Sequence, residues 1–189
     1  MKELIRKILK EQTKEEEYNV LCLPYVGADR SYISGDIGDS RDGGARTHSG
    51  IDLMVDSGTQ LIAPAAGKVS TNWVEKWKKC GSMVKIKHDG LFISPYTGKP
   101  VKLTTRYCHL SEITVTNGQR VKSGDVLGKT GGAASKVDGS RYDKNKDGQI
   151  VDGENGYRGE PSKNGTPSNY YREAGAGNST LAHLHYEIY

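Results

Sequence analysis

The sequence predicts a mainly β protein built of antiparallel sheet. Three observations carry that reading. Glycine is abundant, 24 of 189 residues, and hydrophobic residues make up only 34%, a balance that suits loop-rich strands better than a helical bundle. Between residues 61 and 131 short apolar runs alternate with polar residues, which turns one side of each segment toward a core. Glycine-bearing turns separate those runs at close intervals, as in hairpin-connected strands. A chain of this length can build one domain with a real core, with appendages.

Taken in order, residues 1–18 place Leu4, Ile5, Ile8 and Leu9 on one stripe among Lys, Arg and Glu. That predicts a short amphipathic helix, an arm on the domain spanning 19–189. Residues 19–60 mix short apolar patches with Gly, Asp and Ser. Leu61–Val69 reads as a strand with a tight turn at Pro64-Ala65-Ala66-Gly67. Met83–His88 alternates and ends at Asp89-Gly90, a hairpin turn signal. Thr104–His109 is a further strand, and Val121–Gly128 a strand-turn-strand passage. Residues 132–180 are rich in Gly, Ser, Asn, Asp and Tyr and poor in aliphatics. They read as a long loop insertion before the last strand, Ala182–Ile188.

The chemistry concentrates in histidines. There are five, at 48, 88, 109, 183 and 185, and four fall in three short segments. On a strand, His183 and His185 project to one side, one free to bind a metal and the other to handle protons. His48 and Asp52, in an HxxxD spacing with Gly50 between, offer a nitrogen and an oxygen ligand. Two histidines and a carboxylate with an open fourth position form a catalytic zinc set. His88, beside its turn, is read as a surface residue. Cys22, Cys80 and Cys108 are odd in number and form no CxxC pair, so they are read as reduced core or near-core residues.

A second metal motif lies in the insertion. Asp143, Asn145 and Asp147 offer side-chain oxygens at positions 1, 3 and 5 of a twelve-residue calcium loop. Gly148 suits the sharp turn, Gln149 supplies a backbone carbonyl, Ile150 fits the eighth place and Glu154 is the closing carboxylate. The flanks do not read as helices, so the expectation is an isolated calcium loop that orders its own surroundings.

The segments His48–Asp52, Tyr107-Cys108-His109-Leu110-Ser111 and His183-Leu184-His185 occur in the order of the lysostaphin-like (LytM-type) zinc metallopeptidases, which the chain closely resembles. Ala63–Val69 is similar to that family's AP-x-x-G-x-V turn, and Gly118–Gly128 to its glycine-punctuated strand pair. The resemblance covers about residues 30–131 and 181–188. It implies a barrel-sandwich hybrid fold (a duplicated hybrid motif), zinc held by His48, Asp52 and His185, and His109 and His183 flanking the attacking water and the scissile carbonyl. It also implies an endopeptidase of peptidoglycan cross-links. Zinc acidifies water and polarises a carbonyl, and a nearby neutral imidazole can take and return the proton.

Other readings weigh less. A non-catalytic wall-binding or hydrolase-activating member of the same fold would be expected to lack metal ligands, and none is missing. A lipoyl- or biotinyl-type carrier needs a lysine in a hairpin, usually beside methionine. Met1, Met54 and Met83 have no such neighbour except Lys2. Ser123–Thr130 resembles a phosphate loop, but the first glycine would fall at Ser123. Net charge is +4 with pI near 8.8, which helps approach to an anionic wall. No nucleic-acid partner is expected, and no apolar run reaches the ~18 residues of a membrane span. The N-terminus does not read as a secretory signal. The expected setting is a monomeric phage endolysin or virion-associated lysin, made in a host cytoplasm and released to the wall or periplasm by a separate factor. The favoured bond is D-Ala to diaminopimelate, with a glycine bridge as runner-up.

Overall fold

A computed structural model describes residues 18–25, 32–74, 80–132, 134–136, 156–158, 170–177, 179 and 182–189. In chain order the strands are β1 (Tyr32–Gly35), β2 (Ser40–Arg41), β3 (Arg46–Thr47), β4 (Ile51–Met54), β5 (Gln60–Ile62), β6 (Gly67–Asn72), β7 (Met83–His88), β8 (Phe92–Ile93) and β9 (Pro100–Val101). They continue as β10 (Thr104–Cys108), β11 (Leu110–Ile113), β12 (Arg120–Val121), β13 (Val126–Thr130), β14 (Ala134–Lys136), β15 (Gly156–Arg158), β16 (Tyr170–Glu173) and β17 (Leu184–Ile188). All pairings are antiparallel. Seven strands form one sheet in the order β1-β4-β17-β10-β7-β6-β12, and β11-β13-β5 form a second. The mainly β expectation holds.

The alternation sorts the two sides of the large sheet. Val69 on β6, Val84 and Ile86 on β7, Tyr107 on β10, and Leu184 and Tyr186 on β17 are buried in one apolar cluster. The cluster also contains Leu61, Leu110 and Leu127 of the second sheet, so the two sheets pack face to face. Side chains of this kind each contribute roughly 1.5–3 kcal/mol when fully buried. The opposite parity of the same strands is thereby turned to the other face. Cross-strand register then lines up Asp52 with His185, His185 with Cys108, and Glu187 with Arg106. The hydrophobic pattern that fixes the core therefore also gathers the polar residues of three strands in adjacent rows.

Five expectations are affected. The helix over 1–18 lies outside the described residues but for Tyr18, and the calcium-loop residues Asp143, Asn145, Asp147, Gln149 and Glu154 lie outside them entirely. The insertion is not all loop: β14, β16 and β15 form a small antiparallel sheet, its backbone paired despite the lack of aliphatics. His88 is not a surface residue but 3% exposed. It shares the inward parity of Val84 and Ile86, and its Nε2 meets the Thr105 hydroxyl at 2.8 Å, which in turn meets the Tyr107 hydroxyl at 2.7 Å. Burial lowers its pKa, so it sits in the core as a neutral, hydrogen-bonded ring. Cys80 and Cys108 are not reduced but joined in a disulfide, while Cys22 is free and exposed. Among the described residues no helix is long and apolar enough to cross a membrane.

Candidate metal and catalytic site

Three side chains meet where β4 and β17 run side by side. His48, just before β4, brings its Nε2 to 3.0 Å from Asp52 Oδ1 and 2.9 Å from His185 Nδ1. His185 Nδ1 lies 2.8 Å from Asp52 Oδ1. Gly50 makes the approach possible: a Cβ there would lie 2.4 Å from the Tyr186 carbonyl and 2.7 Å from Glu187 Cγ. This is the physical reason for a glycine inside the HxxxD segment.

The outer nitrogens of both rings assign the tautomers. His48 Nδ1 faces the Asp36 carbonyl at 2.9 Å. A carbonyl only accepts, so this shorter contact favours the proton on Nδ1 and the lone pair on Nε2, although the Arg41 guanidinium, a donor, stands 3.1 Å from the same Nδ1. His185 Nε2 donates to Glu187 Oε1 at 2.9 Å, which leaves the lone pair on Nδ1. Two imidazole lone pairs and a carboxylate oxygen thus converge with no proton of their own between them. Such a cluster calls for positive charge at its centre, and the donor set suits zinc. The electrostatics show the pull of the cluster on positive charge, for which a proton on His185 Nδ1 competes with a metal. Burial alone would raise the Asp52 pKa, but the hydrogen bond with His185 and the charges of His183 and His48 bring it down to about 2. Burial works against a proton on His185, yet its bonds to Asp52 and Glu187 raise its pKa above the ordinary value.

Two further histidines stand beside the cluster. His183 Nε2 is 3.5 Å from Asp52 Oδ1, and its Nδ1 is 3.2 Å from the Ser179 hydroxyl. The His109 and His183 ring centroids are 4.7 Å apart, and those of His109 and His185 6.1 Å. His109 is buried and donates Nδ1–H to the Ala176 carbonyl at 2.7 Å, so its lone pair is on Nε2. Burial first, and then the charges of His183 and His185, push its pKa well below the usual value. It is therefore neutral near pH 7 and able to accept a proton. All five residues expected from the sequence, His48, Asp52, His109, His183 and His185, come together in one place.

Several residues of the site were not foreseen. Glu187 is 1% exposed. Besides His185 it accepts from Ser49 Oγ at 2.7 Å, from Arg106 and from the Tyr189 hydroxyl. Ser49 and His185 come from the first and third sequence segments, and Arg106 directly precedes the second. Arg41 donates to Asp52 Oδ2 at 2.9 Å, in space that a Cβ at Gly35 would invade, since it would lie 2.2 Å from the Arg41 Nη2. Gly131 lies between the two outer histidines. The His183 N–H donates to its carbonyl at 3.1 Å, and a Cβ on it would lie 2.6 Å from the His109 carbonyl oxygen. The parity of β17 could have pointed to Glu187. Arg41, Ser179 and the Ala176 carbonyl carry no sequence signal, because only the fold brings them near.

A protein-family model described as peptidase family M23 matches residues 46–152. That span includes His48, Asp52 and His109 and stops before His183 and His185. Among solved structures, a zinc-containing peptidase from Vibrio cholerae is 19% identical, over 90% of this chain and 37% of that one, with a TM-score of 0.51. The chain thus spans little over a third of that peptidase, and the likeness is one of fold. The catalytic domain of lysostaphin from Staphylococcus simulans is 17% identical, over 85% of this chain and 81% of that one, at a TM-score of 0.46. The catalytic domain of the prophage-encoded M23 protein EnpA from Enterococcus faecalis is 21% identical, over 87% and 84%, at 0.47. No curated protein sequence matches the chain significantly.

Proposed function

The chain belongs to peptidase family M23, and from that premise we propose that it is a zinc-dependent endopeptidase hydrolysing peptide cross-links of bacterial peptidoglycan. The observation that carries the reading is the convergence of His48 Nε2, Asp52 Oδ1 and His185 Nδ1 beside the neutral His109. His48, Asp52 and His185 would hold the zinc. Bound there, zinc supplies Lewis acidity toward water and the scissile carbonyl. His109 and His183 handle the proton. The Ala176 carbonyl fixes the His109 ring with Nε2 ready to take a proton from the attacking water and deliver it to the departing amine. The Ser179 hydroxyl, 3.2 Å from His183 Nδ1, holds the second ring in place. Glu187, held from three sides, takes the His185 Nε2 proton and so leaves the Nδ1 lone pair for the metal.

The site of action proposed is the bacterial wall or periplasm, where the substrate is. Direct D-Ala-diaminopimelate cross-links are the favoured target. Mass spectrometry of fragments released from walls with direct cross-links, and from walls with glycine bridges, tests this. Fragments newly ended at D-Ala from the first wall support the assignment. Cleavage confined to glycine bridges transfers it to the runner-up, and release of neither denies the endopeptidase.

Gly131→Ala is expected to keep zinc but lose turnover by roughly 10²-fold, the usual effect of displacing a reacting group by about 1 Å. Its methyl would push the His109 carbonyl. Wild-type kcat in this variant would show that the His109–His183 spacing is not critical.

The insertion is proposed to bind calcium through Asp143, Asn145, Asp147, the Gln149 carbonyl and Glu154. Calcium should raise the melting temperature by mass action, and Asp147→Ala should abolish the rise without loss of zinc. Calorimetry showing no binding at about millimolar calcium, where even weak calcium modules are occupied, removes the proposal.

A further inference from the structure

We infer that the Cys80–Cys108 disulfide is a positioning element for His109, so that turnover, but not metal retention, depends on its being closed. The inference rests on the proposed role of His109. Its own observations are backbone ones.

His109 is the one non-glycine residue at positive φ, 62°, among the described residues. That left-handed conformation is disfavoured for a residue with a Cβ and persists only where the surroundings enforce it. The regular ladder does not reach it. β10 pairs with β7 as far as Tyr107 opposite Val84, and with β17 as far as Cys108 opposite His185. At Cys108 the support from the β7 side passes from ladder pairs to the segment Cys80–Ser82. The Cys80 carbonyl accepts the His109 N–H at 2.8 Å, the Ser82 carbonyl accepts the Leu110 N–H at 3.1 Å, and the disulfide is the covalent tie between the two strips.

The same segment also braces the anchor of the His109 ring. The Ser82 N–H donates to the Gly175 carbonyl at 2.8 Å. A Cβ on Gly81 would lie 2.0 Å from that oxygen and 2.7 Å from the Gly177 nitrogen, so the strips touch backbone to backbone. Between Gly175 and Gly177 stands Ala176, whose carbonyl takes the His109 Nδ1 proton. Cys80–Ser82 therefore sits between the backbone of His109 and the turn that orients its ring, and the disulfide locks it to the residue preceding His109. Opening the bond leaves hydrogen bonds alone to hold a disfavoured conformation. The ligands His48, Asp52 and His185 are positioned by β4, β17, Asp36 and Glu187, and they meet that lock only through the ladder pairing of His185 with Cys108.

The consequence is a redox requirement on the proposed reaction. In a reducing compartment the thiol form would hold metal with His109 misplaced. In an oxidising one, where disulfides persist, the bond closes and the site is complete.

The test uses the whole zinc-loaded chain, oxidised and then reduced with a water-soluble phosphine. The phosphine takes the oxygen of one water to become its oxide, and Cys80 and Cys108 become thiols. Zinc content, kcat and KM on a soluble cross-linked peptidoglycan fragment are measured on each form, and alkylation with mass spectrometry verifies the thiols. A kcat reduced by about tenfold or more, with zinc and KM unchanged and kcat restored on reoxidation, is the expected result. The folded Cys80→Ser/Cys108→Ser double variant should behave like the reduced form. Equal kcat in verified thiol and disulfide forms overturns the inference while leaving the peptidase intact. Loss of zinc together with kcat also overturns it, since the bond would then serve the metal site. An oxidised wild type that cleaves no peptidoglycan fails the proposed function itself, a distinct outcome.

Discussion

Replacing His185 by alanine is expected to leave the protein without stoichiometric zinc and without measurable peptidoglycan hydrolysis. The ring supplies one of three donors, and its loss leaves His48 Nε2 and Asp52 Oδ1 facing each other at 3.0 Å. A two-donor site holds zinc poorly, and the metal's binding energy falls with each ligand removed. The variant also strands Glu187, a buried carboxylate that loses one of its four donors. Some loss of stability is therefore expected as well, of the order of 1–3 kcal/mol for an unmade buried bond to a charged group. Asp52→Ala should share the loss of zinc, with Arg41 deprived of its carboxylate. Elemental analysis after gel filtration checks both variants, with circular dichroism confirming the fold. Full zinc occupancy in folded His185→Ala would remove His185 from the ligand set.

His109→Ala and His183→Ala are expected to do the opposite: zinc retained, turnover reduced by roughly 10²–10⁴-fold, the usual worth of a positioned acid or base. The geometry separates these rings from the ligand triangle. His109 spends its Nδ1 proton on a backbone carbonyl and its centroid stands 6.1 Å from that of His185, while His183 is tied to Ser179. His109→Ala keeps the Cβ at this positive-φ position and removes only the ring, so the backbone demand there is unchanged and the fold should survive. The measurement is kcat with KM and zinc content on one preparation of each variant. Near-normal kcat in either variant would reject that residue's part in the chemistry.

How much of this was legible in the sequence follows from how local each signal is. Met83–His88 was readable as a strand to the residue, because its alternation and the Asp89-Gly90 turn are both local. His88 was nevertheless misplaced: its proximity to the turn outweighed its parity with Val84 and Ile86, and the parity was the better guide. The histidine segments were readable because each carries its own spacing. Their convergence required the resemblance, since HxxxD and HxH are more than 130 residues apart in the chain and no local rule sets the register of β4 on β17. Glu187 was missed for a related reason. A carboxylate at the end of a strand usually faces water, and only the pairing of β17 with β10 brings Arg106 onto it. The disulfide joins residues 28 apart across strips whose proximity is tertiary, and an odd number of cysteines gives no hint of the pairing. The strands of the insertion were hidden by composition, because segments poor in aliphatics do not announce the ladder that satisfies their backbones.

The central claim is that zinc held by His48, Asp52 and His185 makes this chain a peptidoglycan endopeptidase. It is tested most directly by one titration of activity against metal. The purified protein is stripped with a chelator, dialysed, and returned to zinc in sub-stoichiometric steps, with release of cross-link fragments followed by mass spectrometry. The expected result is no cleavage by the stripped protein and a linear return of cleavage that levels off at one zinc per chain. Cleavage undiminished in verified zinc-free protein, or none at full occupancy of the folded, oxidised chain, would contradict it.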